Sequence, residues 1–466
     1  MLHQTPARYQ NMAHHQTIMS NPTFEERPDA LVRHGLTQDH DPKPLYCVWE
    51  ITLKCDLGCR HCGSRAGAER SVELSTAECL DVVRQLEDVG FKEVTLIGGE
   101  AYLREDWDQI AAEITRRGMV CTMTTGGRAL DSERLKRAEA AGITSISVSV
   151  DGLAKTHDMQ RGAPNSWRDA LDSCERIAKS SIRLTTNTQI NRMSLPEIPA
   201  LAKMLADMGS KAWQVQLTVP MGRGADRPQM LLQPYDMLDV FPLLAWVKSE
   251  RLTPNGIRLF PGNNVGYFGP YESMLRYGGQ VGAHWSGCGA GKSCIGIESD
   301  GKIKGCPSLP PDVYTGGYTN QDSIGEVVQN APEVNHIRLR TTDDLWGFCK
   351  TCYYADVCRA GCTWTAHCTL GRSGNNPYCI HRALTYEEQG LHEHIVQKKS
   401  APGTPFDHGL FELQLDAAPA GDPNPTILGH PLETITNLDW RDGSIWTDDE
   451  LRAFVKKAPT LYGIEN

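Results

Sequence analysis

Strand-like and helix-like segments alternate through the first half of the chain in units of roughly 30 residues, and that rhythm restricts the fold more than any other feature. The strand segments are CVWEITLK (47–54), KEVTLI (92–97), MVCTMT (119–124), ITSISVSV (143–150), IRLTTNT (182–188) and KAWQVQLTV (211–219). Between the first two, LSTAECLDVVRQLEDVG carries Ser75 as N-cap, Glu78 three residues on and Gly90 as the stop, the signature of a capped helix. Helical patterns at 106–117, 131–141, 166–179 and 195–208 separate the remaining strands. Such alternation predicts an α/β fold with a parallel sheet and crossover helices, and six units make a partial (β/α)6 barrel rather than the closed eight-fold one. Ligands of parallel α/β proteins bind at the carboxyl ends of the strands.

The loop after the first strand reads KCDLGCRHCG (54–63) and places Cys55, Cys59 and Cys62 at that mouth. Structural zinc and most electron-transfer iron–sulfur clusters take four protein ligands. Three thiols on one short loop leave one metal position open for chemistry. His61 puts a ring beside the third thiol. The second strand ends in IGGE, where Gly98 and Gly99 let backbone approach a ligand closely and Glu100 is placed to accept hydrogen bonds from an ammonium.

The rest of the chain bounds the setting. Lys and Arg number 47 against 57 Asp and Glu, a net charge of −10 with no dense basic run, which argues against a nucleic-acid partner. The N-terminus has no signal-peptide pattern and no apolar run is long enough to span a bilayer, so a cytoplasmic protein with no membrane partner is expected. In that reducing compartment the 16 cysteines point to metal or catalysis rather than to disulfides. Nine of them fall between 288 and 379.

Cys-x3-Cys-x2-Cys after the first strand, followed by GGE after the second, resembles the radical SAM superfamily. The resemblance implies a 4Fe–4S cluster on Cys55, Cys59 and Cys62, whose free iron chelates S-adenosylmethionine. One electron then cleaves this cofactor to methionine and a 5′-deoxyadenosyl radical that abstracts hydrogen from the substrate. TTGG (124–127) is similar to the third-strand motif, with Gly126 in place and an Asn missing. SVSVDG (147–152), His157 and Arg161-Gly162 resemble the fourth-strand segment. By the same resemblance Gly98, Gly99 and Glu100 contact the cofactor, Ser149 and Asn187 hold its carboxylate or ribose, and Leu217 flanks its adenine. Strand-end polarity and core packing are the ordinary alternatives for Ser149, Asn187 and Leu217.

The later cysteines run Cys288-x5-Cys294-x11-Cys306, then Cys349-x2-Cys352-x5-Cys358-x3-Cys362, then Cys379. This pattern resembles the SPASM extension of radical SAM barrels, which implies two auxiliary 4Fe–4S clusters and three clusters in all. Cys288, Cys294, Cys306 and Cys362 would hold the first, and Cys349, Cys352, Cys358 and Cys379 the second. Cys368 competes with Cys379 for the last position. Zinc is the alternative for the Cys-x2-Cys block taken alone. Cys47, Cys79, Cys121 and Cys174 lie on the predicted strands and helices and are read as core thiols.

The expected organisation is a polar N-terminal arm (1–45), the partial barrel (46–280), the auxiliary-cluster domain (281–385), and a C-terminal helix, linker and tail (386–466). Two fully ligated clusters suggest removal of a second electron. The resemblance therefore implies an oxidative peptide or protein maturase, forming a crosslink or a dehydrogenated side chain. Its implied partners are a peptide or protein substrate and a reducing donor such as flavodoxin or ferredoxin; the 45 residues before the first strand are too few and too polar for a leader-binding domain, which leaves leader recognition to a separate leader-binding protein, to the barrel or to the tail at 400–466. A sulfatase-maturase reading is weakened by Pro307-Ser308 after Cys306, where that pattern has an Asp. The alternatives are a small-molecule oxidoreductase or rearrangement enzyme, and a non-catalytic iron–sulfur or zinc scaffold. No general base is singled out. His14, His15, His392 and His394 are read as solvated. The tail, with Trp440 and Trp446, is read equally as a lid, a partner-binding segment or a packing element.

Overall fold

The computed structural model describes residues 43–277, 287–419 and 426–454. The N-terminal arm up to residue 42, residues 420–425 of the expected linker and residues 455–466 of the expected tail lie outside them. No helix among the described residues is long and apolar enough to cross a membrane.

All six expected strands form: β1 (Tyr46–Glu50), β2 (Glu93–Ile97), β3 (Val120–Thr125), β4 (Ser145–Ser149), β5 (Arg183–Ile190) and β6 (Ala212–Leu217). They pair in parallel and in sequence order. The crossover helices are α1 (Thr76–Val89), α2 (Trp107–Arg116), α3 (Ser132–Ala140), α4 (Ala154–Arg161), α5 (Ser166–Ala178) and α6 (Ile198–Asp207). The Ser75–Glu78 capping box starts α1, and Gly90 ends it in the left-handed conformation. One face of each strand is buried against the helices. Trp49, Leu96, Met123, Val148 and Val215 join α1–α6 residues such as Leu86, Ile110 and Ile177 in a single core. Cys47, Cys79, Cys121 and Cys174 are part of that core.

The sheet does not stop at six strands. Beyond β6, β7 (Arg258–Pro261) adds a further parallel strand. Against the other edge, β8 (Cys294–Ile297) pairs in parallel with β1 and leads into the antiparallel β9 (Lys302–Lys304) and β10 (Thr315–Tyr318). The cysteine-rich region is thus hydrogen-bonded to the barrel through the strand that precedes the Cys55–Cys62 loop. An ion-pair network locks the seam: Arg70 binds Glu50 at 2.7 Å and Glu298 at 2.9 Å, and buried Lys304 binds Glu298 at 2.5 Å.

The C-terminal part corrects one expectation. The helical pattern beyond 385 belongs to the end of a helix over Ile380–Glu387, and the chain then forms a hairpin of β11 (Leu391–Lys399) and β12 (Leu410–Ala417). His392 is not solvated: it is buried, stacked on Tyr235 at 4.7 Å and paired with Glu387 at 2.6 Å. Residues 426–454 pack on the barrel. Trp446 Nε1 donates to Met193 O at 2.6 Å, and Trp440 Nε1 donates to Asp207 Oδ2 at 3.0 Å.

Candidate functional site

The cysteine loop is fixed from both sides of the barrel. Its base is closed by Cys55 N donating to Gly67 O and Gly67 N donating to Leu53 O. Arg60 N donates to Gln160 O on α4, and Arg223 donates from N to Cys62 O and from Nε to Cys59 O. Gly222 has φ +56, and a Cβ there would lie 2.3 Å from the carbonyls of Cys62 and Gly63, so only glycine allows this approach.

Burial pushes the Cys55 and Cys59 thiols up, Cys55 also through the Cys59 thiol. Burial opposes ionisation of Cys62 too, but the Arg223 guanidinium and Ser64 bring it below the ordinary thiol range. Cys59 and Cys62 raise Cys55, Cys62 raises Cys59, and the three pack in one cluster with Leu57 and Ala163. Arg161 Nη1 donates to Cys59 Sγ at 3.5 Å, and its Nη2 lies 2.7 Å from Asp151, a fully buried carboxylate at the end of β4. Asp151 also lies 3.2 Å from His61 Nε2 and donates through its backbone N to His157 Nδ1. Burial lowers His61 to about 4 and His157 to about 3, so both rings are neutral and Arg161 carries the charge.

Glu100 is 1% exposed. Its Oε2 accepts from Gly126 N at 2.8 Å, while its Oε1 is buried without a donor, and burial raises the carboxyl to about 8. The unsatisfied oxygen suits a cationic nitrogen. Gly98 and Gly99 serve the chain itself: a Cβ on Gly99 would meet Lys54 O at 2.3 Å, and one on Gly98 would meet Thr52 O at 2.7 Å. The close approach these glycines allow is to the strand end that carries the cysteine loop. Ser149 and Asn187 are paired across β4 and β5, and Asn187 Nδ2 donates to Ser147 Oγ at 3.4 Å. Leu217 is buried in the main core, with both backbone groups bonded to the Asn264 amide.

A residue that the sequence did not single out ties the loop to the distant hairpin. Arg65 donates to Asp226 at 2.7 and 2.8 Å, to Asp407 at 2.8 and 3.3 Å and to Gly222 O at 3.0 Å. Asp407 lies 342 residues away in sequence, and no local pattern could have linked the two.

The later cysteines form two groups. Cys349, Cys352, Cys358 and Cys379 line one pocket walled by the rings of Tyr267, Phe268, Phe348, Tyr354 and His381. Four thiols around one apolar cavity fit an iron–sulfur cluster. In the other group burial raises Cys288 to about 12 and Cys306 to about 11, with Cys362 raising both further and Cys306 raising Cys288. Cys368 faces this second group, next to Cys362 and Cys306, and packs among Val219, Met221 and Phe406. Cys294 heads β8, with Cys47 as a neighbour. Tyr267 stands between the two groups: its carbonyl accepts from Cys379 Sγ at 3.6 Å, while its ring packs with Cys288 and Cys358.

Residues 49–205, from β1 to α6, match the profile of the Radical SAM superfamily. These residues form a radical SAM domain. The domain implies S-adenosylmethionine and a 4Fe–4S cluster as cofactors. It is 29% identical over 350 residues to the AdoMet-dependent heme synthase of Methanosarcina barkeri, covering 73% of this chain and 97% of that one. It is 28% identical over 379 residues to the mycofactocin maturase MftC of Mycobacterium ulcerans, covering 80% of this chain and 95% of that one. Among solved structures, Streptococcus suis SuiB bound to precursor peptide SuiA superposes with a TM-score of 0.57 at 16% identity, over 73% of this chain and 75% of that one. The anSMEcpe protein with bound AdoMet and Kp18Cys peptide superposes with a TM-score of 0.58 at 16% identity, over 74% and 96%. At that identity the two structures establish the shared fold of the radical SAM domain and its extension.

Proposed function

We propose that this radical SAM enzyme oxidatively modifies a peptide or protein side chain, by crosslinking or dehydrogenation. The observation that carries this reading is the single pocket lined by Cys349, Cys352, Cys358 and Cys379. A fully ligated cluster there has no iron left to bind substrate and serves to accept an electron. Cys288, Cys294, Cys306 and Cys362 hold a second auxiliary cluster in this reading, and Cys55, Cys59 and Cys62 hold the cluster that works with S-adenosylmethionine. When bound, that pair supplies a 5′-deoxyadenosyl radical for hydrogen abstraction. Glu100 Oε1 holds the cofactor ammonium, Ser149 and Asn187 its carboxylate or ribose, and the β6 end with Leu217 borders the adenine. Arg161 and Arg223 hold the cysteine loop and balance thiolate charge. A donor such as flavodoxin or ferredoxin supplies the first electron.

The opposite face of the strands supports a peptide. Thr95 and Thr122 bond at 2.6 Å, Asn187 bonds Ser147, and Gln189 bonds Gln216 at 3.4 Å, a band of neutral donors and acceptors suited to amides. A second reading, a small-molecule oxidation of a tetrapyrrole, is favoured by the heme synthase relative that the chain matches over nearly its whole length. The deciding experiment is anaerobic co-expression with candidate peptides, followed by mass spectrometry, alongside incubation of the loaded protein with iron-coproporphyrin. Loss of two hydrogens from a peptide supports the first reading. Turnover of the porphyrin with all peptides unchanged overturns it in favour of the second.

A further inference from the structure

Helix α4 (Ala154–Arg161) is only eight residues long and has no side-chain cap at its N-terminus. A helix this short is marginal in water on its own, so what packs on it decides where it stands. Two distant parts of the chain do so, on opposite arcs of the helix.

One arc carries the cysteine loop. Arg161 Nη1 donates to Cys59 Sγ at 3.5 Å. Arg60, directly after Cys59, donates from N to Gln160 O at 2.7 Å and from Nε to Met159 O at 2.8 Å. Gly162 ends the helix at φ +65 and lies so close to the loop that a Cβ there would be 2.6 Å from Gly58 O. His157 Nδ1 accepts from Asp151 N at 3.1 Å, and Asp151 in turn faces His61.

The other arc is held by the tail. Ser444 Oγ lies 3.1 Å from Thr156 Oγ1 and donates to Glu197 Oε1 at 2.5 Å. Glu197 also accepts from Thr156 Oγ1 at 2.9 Å and, through its second oxygen, from the N–H of Leu153 just before the helix at 2.7 Å. Met159 packs against the apolar cluster of Trp446, Leu451, Met193 and Met230, and Trp446 Nε1 donates to Met193 O at 2.6 Å. At the surface Lys155 pairs with Asp448 at 2.8 Å. Positions 155, 156 and 159 thus meet the tail while 157, 160 and 161 meet the site. Met159 serves both, with its side chain beside Trp446 and its carbonyl on Arg60.

We infer that the tail segment 444–451 is a clamp for the open-site cysteine loop, with Ser444 and Trp446 as positioning residues that act through α4. The inference rests on the reading of Cys55, Cys59 and Cys62 as the loop that holds the open cluster. Ser444 meets α4 at Thr156 and Trp446 meets it at Met159. Loosening either contact releases Arg161, Gly162 and the Met159 carbonyl together from their places on the loop. A cluster held by three thiols has one protein bond fewer than a fully ligated one, so its retention depends most on how firmly its loop is held.

The test uses the whole chain, loaded anaerobically with iron and sulfide, reduced, and followed by electron paramagnetic resonance during exposure to a chelator. Only a cluster with an open iron position changes its signal on addition of S-adenosylmethionine, which marks the open site among the clusters. Ser444→Val and Trp446→Ala should lose the responsive signal about tenfold faster than wild type, with the later clusters decaying at the wild-type rate. Trp446→Phe keeps most of the packing, loses the bond to Met193 O and should fall between. Wild-type loss in both of the first two variants would overturn the clamp. So would equal acceleration at all the clusters, the mark of a general loosening of the fold. In either case the reading of the loop stands, provided Cys55→Ala lacks the responsive signal from the start. If Cys55→Ala keeps that signal, the reading of the loop falls, and the clamp with it.

Discussion

Arg161 and Cys59 meet through a single N–H···S contact of 3.5 Å, and Asp151 holds the same guanidinium from behind at 2.7 Å. Arg161 is thus shared between a buried carboxylate and a thiol of the open-site loop. Removing it leaves Asp151 with the Gln189 N–H and two neutral histidines but no cation, and breaking one side of a buried pair costs about 3–5 kcal/mol. Arg161→Met should lower the urea midpoint accordingly and reduce iron retained by a chain lacking the later cysteines. Arg161→Lys should fall between, since it keeps the charge but loses the fork.

Cys379 and Cys368 differ in what surrounds them. Cys379 lines the pocket with Cys349, Cys352 and Cys358, while Cys368 sits among Val219, Met221 and Phe406 beside the other group. Cys379→Ala should remove about four irons per chain in anaerobic reconstitution, the content of one cluster. Cys368→Ala should leave the signal of that cluster in electron paramagnetic resonance unchanged. The reverse pattern would reassign the site.

Glu197 joins the tail to the barrel. It accepts from Leu153 N at 2.7 Å, Thr156 Oγ1 at 2.9 Å and Ser444 Oγ at 2.5 Å. Burial raises its carboxyl to about 7 from 4.5. The folded chain therefore favours the protonated form. The stability this contributes is complete below about pH 4.5 and is lost as pH rises through about 7, a span of about 3 kcal/mol. Urea midpoints should fall from pH 5.5 to pH 8, and Glu197→Gln should shrink that difference. An unchanged difference would place the titration elsewhere.

The strand–helix rhythm was legible because each barrel strand buries one face and each helix carries caps or an apolar stripe, as in the Ser75–Glu78 box. The grouping of Cys55, Cys59 and Cys62 was legible because one short loop carries all three, and the position of Glu100 because it directly follows the second strand. The strands on either side of the six were not. β7 has only four residues, with Arg258 and Phe260 exposed, and β8 is recognisable as a strand only through its pairing with β1. LHEHIVQKK lacks a clean alternation, because His392 and Glu393 are both buried through partners, Glu387 and Arg382, that a pattern of apolar residues does not register. Contacts such as Trp446 with Met193, 253 residues apart, carry no local signature.

Glu100 offers one oxygen to Gly126 and keeps the other without a donor. Glu100→Gln preserves the first bond and removes the carboxyl that would ionise against the ammonium of the cofactor. The affinity for S-adenosylmethionine, measured by calorimetry, should weaken by about tenfold or more, equivalent to about 1.4 kcal/mol, the scale of one charge-assisted hydrogen bond. Unchanged affinity would remove Glu100 from the cofactor site.

Arg65 allows a sharper test, because two effects of its replacement oppose each other. The side chain satisfies Asp226, Asp407 and Gly222 O, while its backbone has φ +50, a conformation that favours glycine. Arg65→Ala loses the bonds and keeps the strained backbone. Arg65→Gly loses the same bonds but relieves the strain, and should be more stable than Arg65→Ala by about 1 kcal/mol. Both should be well below wild type, since two carboxylates are left facing each other without their cation. If the Asp407–Arg65 contact carries the link between hairpin and cysteine loop, Asp407→Ala and Arg65→Ala should be non-additive by about 1–3 kcal/mol in a double-mutant cycle. Additive effects would show that the loop at 403–408 is held by its other bonds, Phe406 N to Gly63 O and Gly222 N to Asp407 O, rather than by the guanidinium.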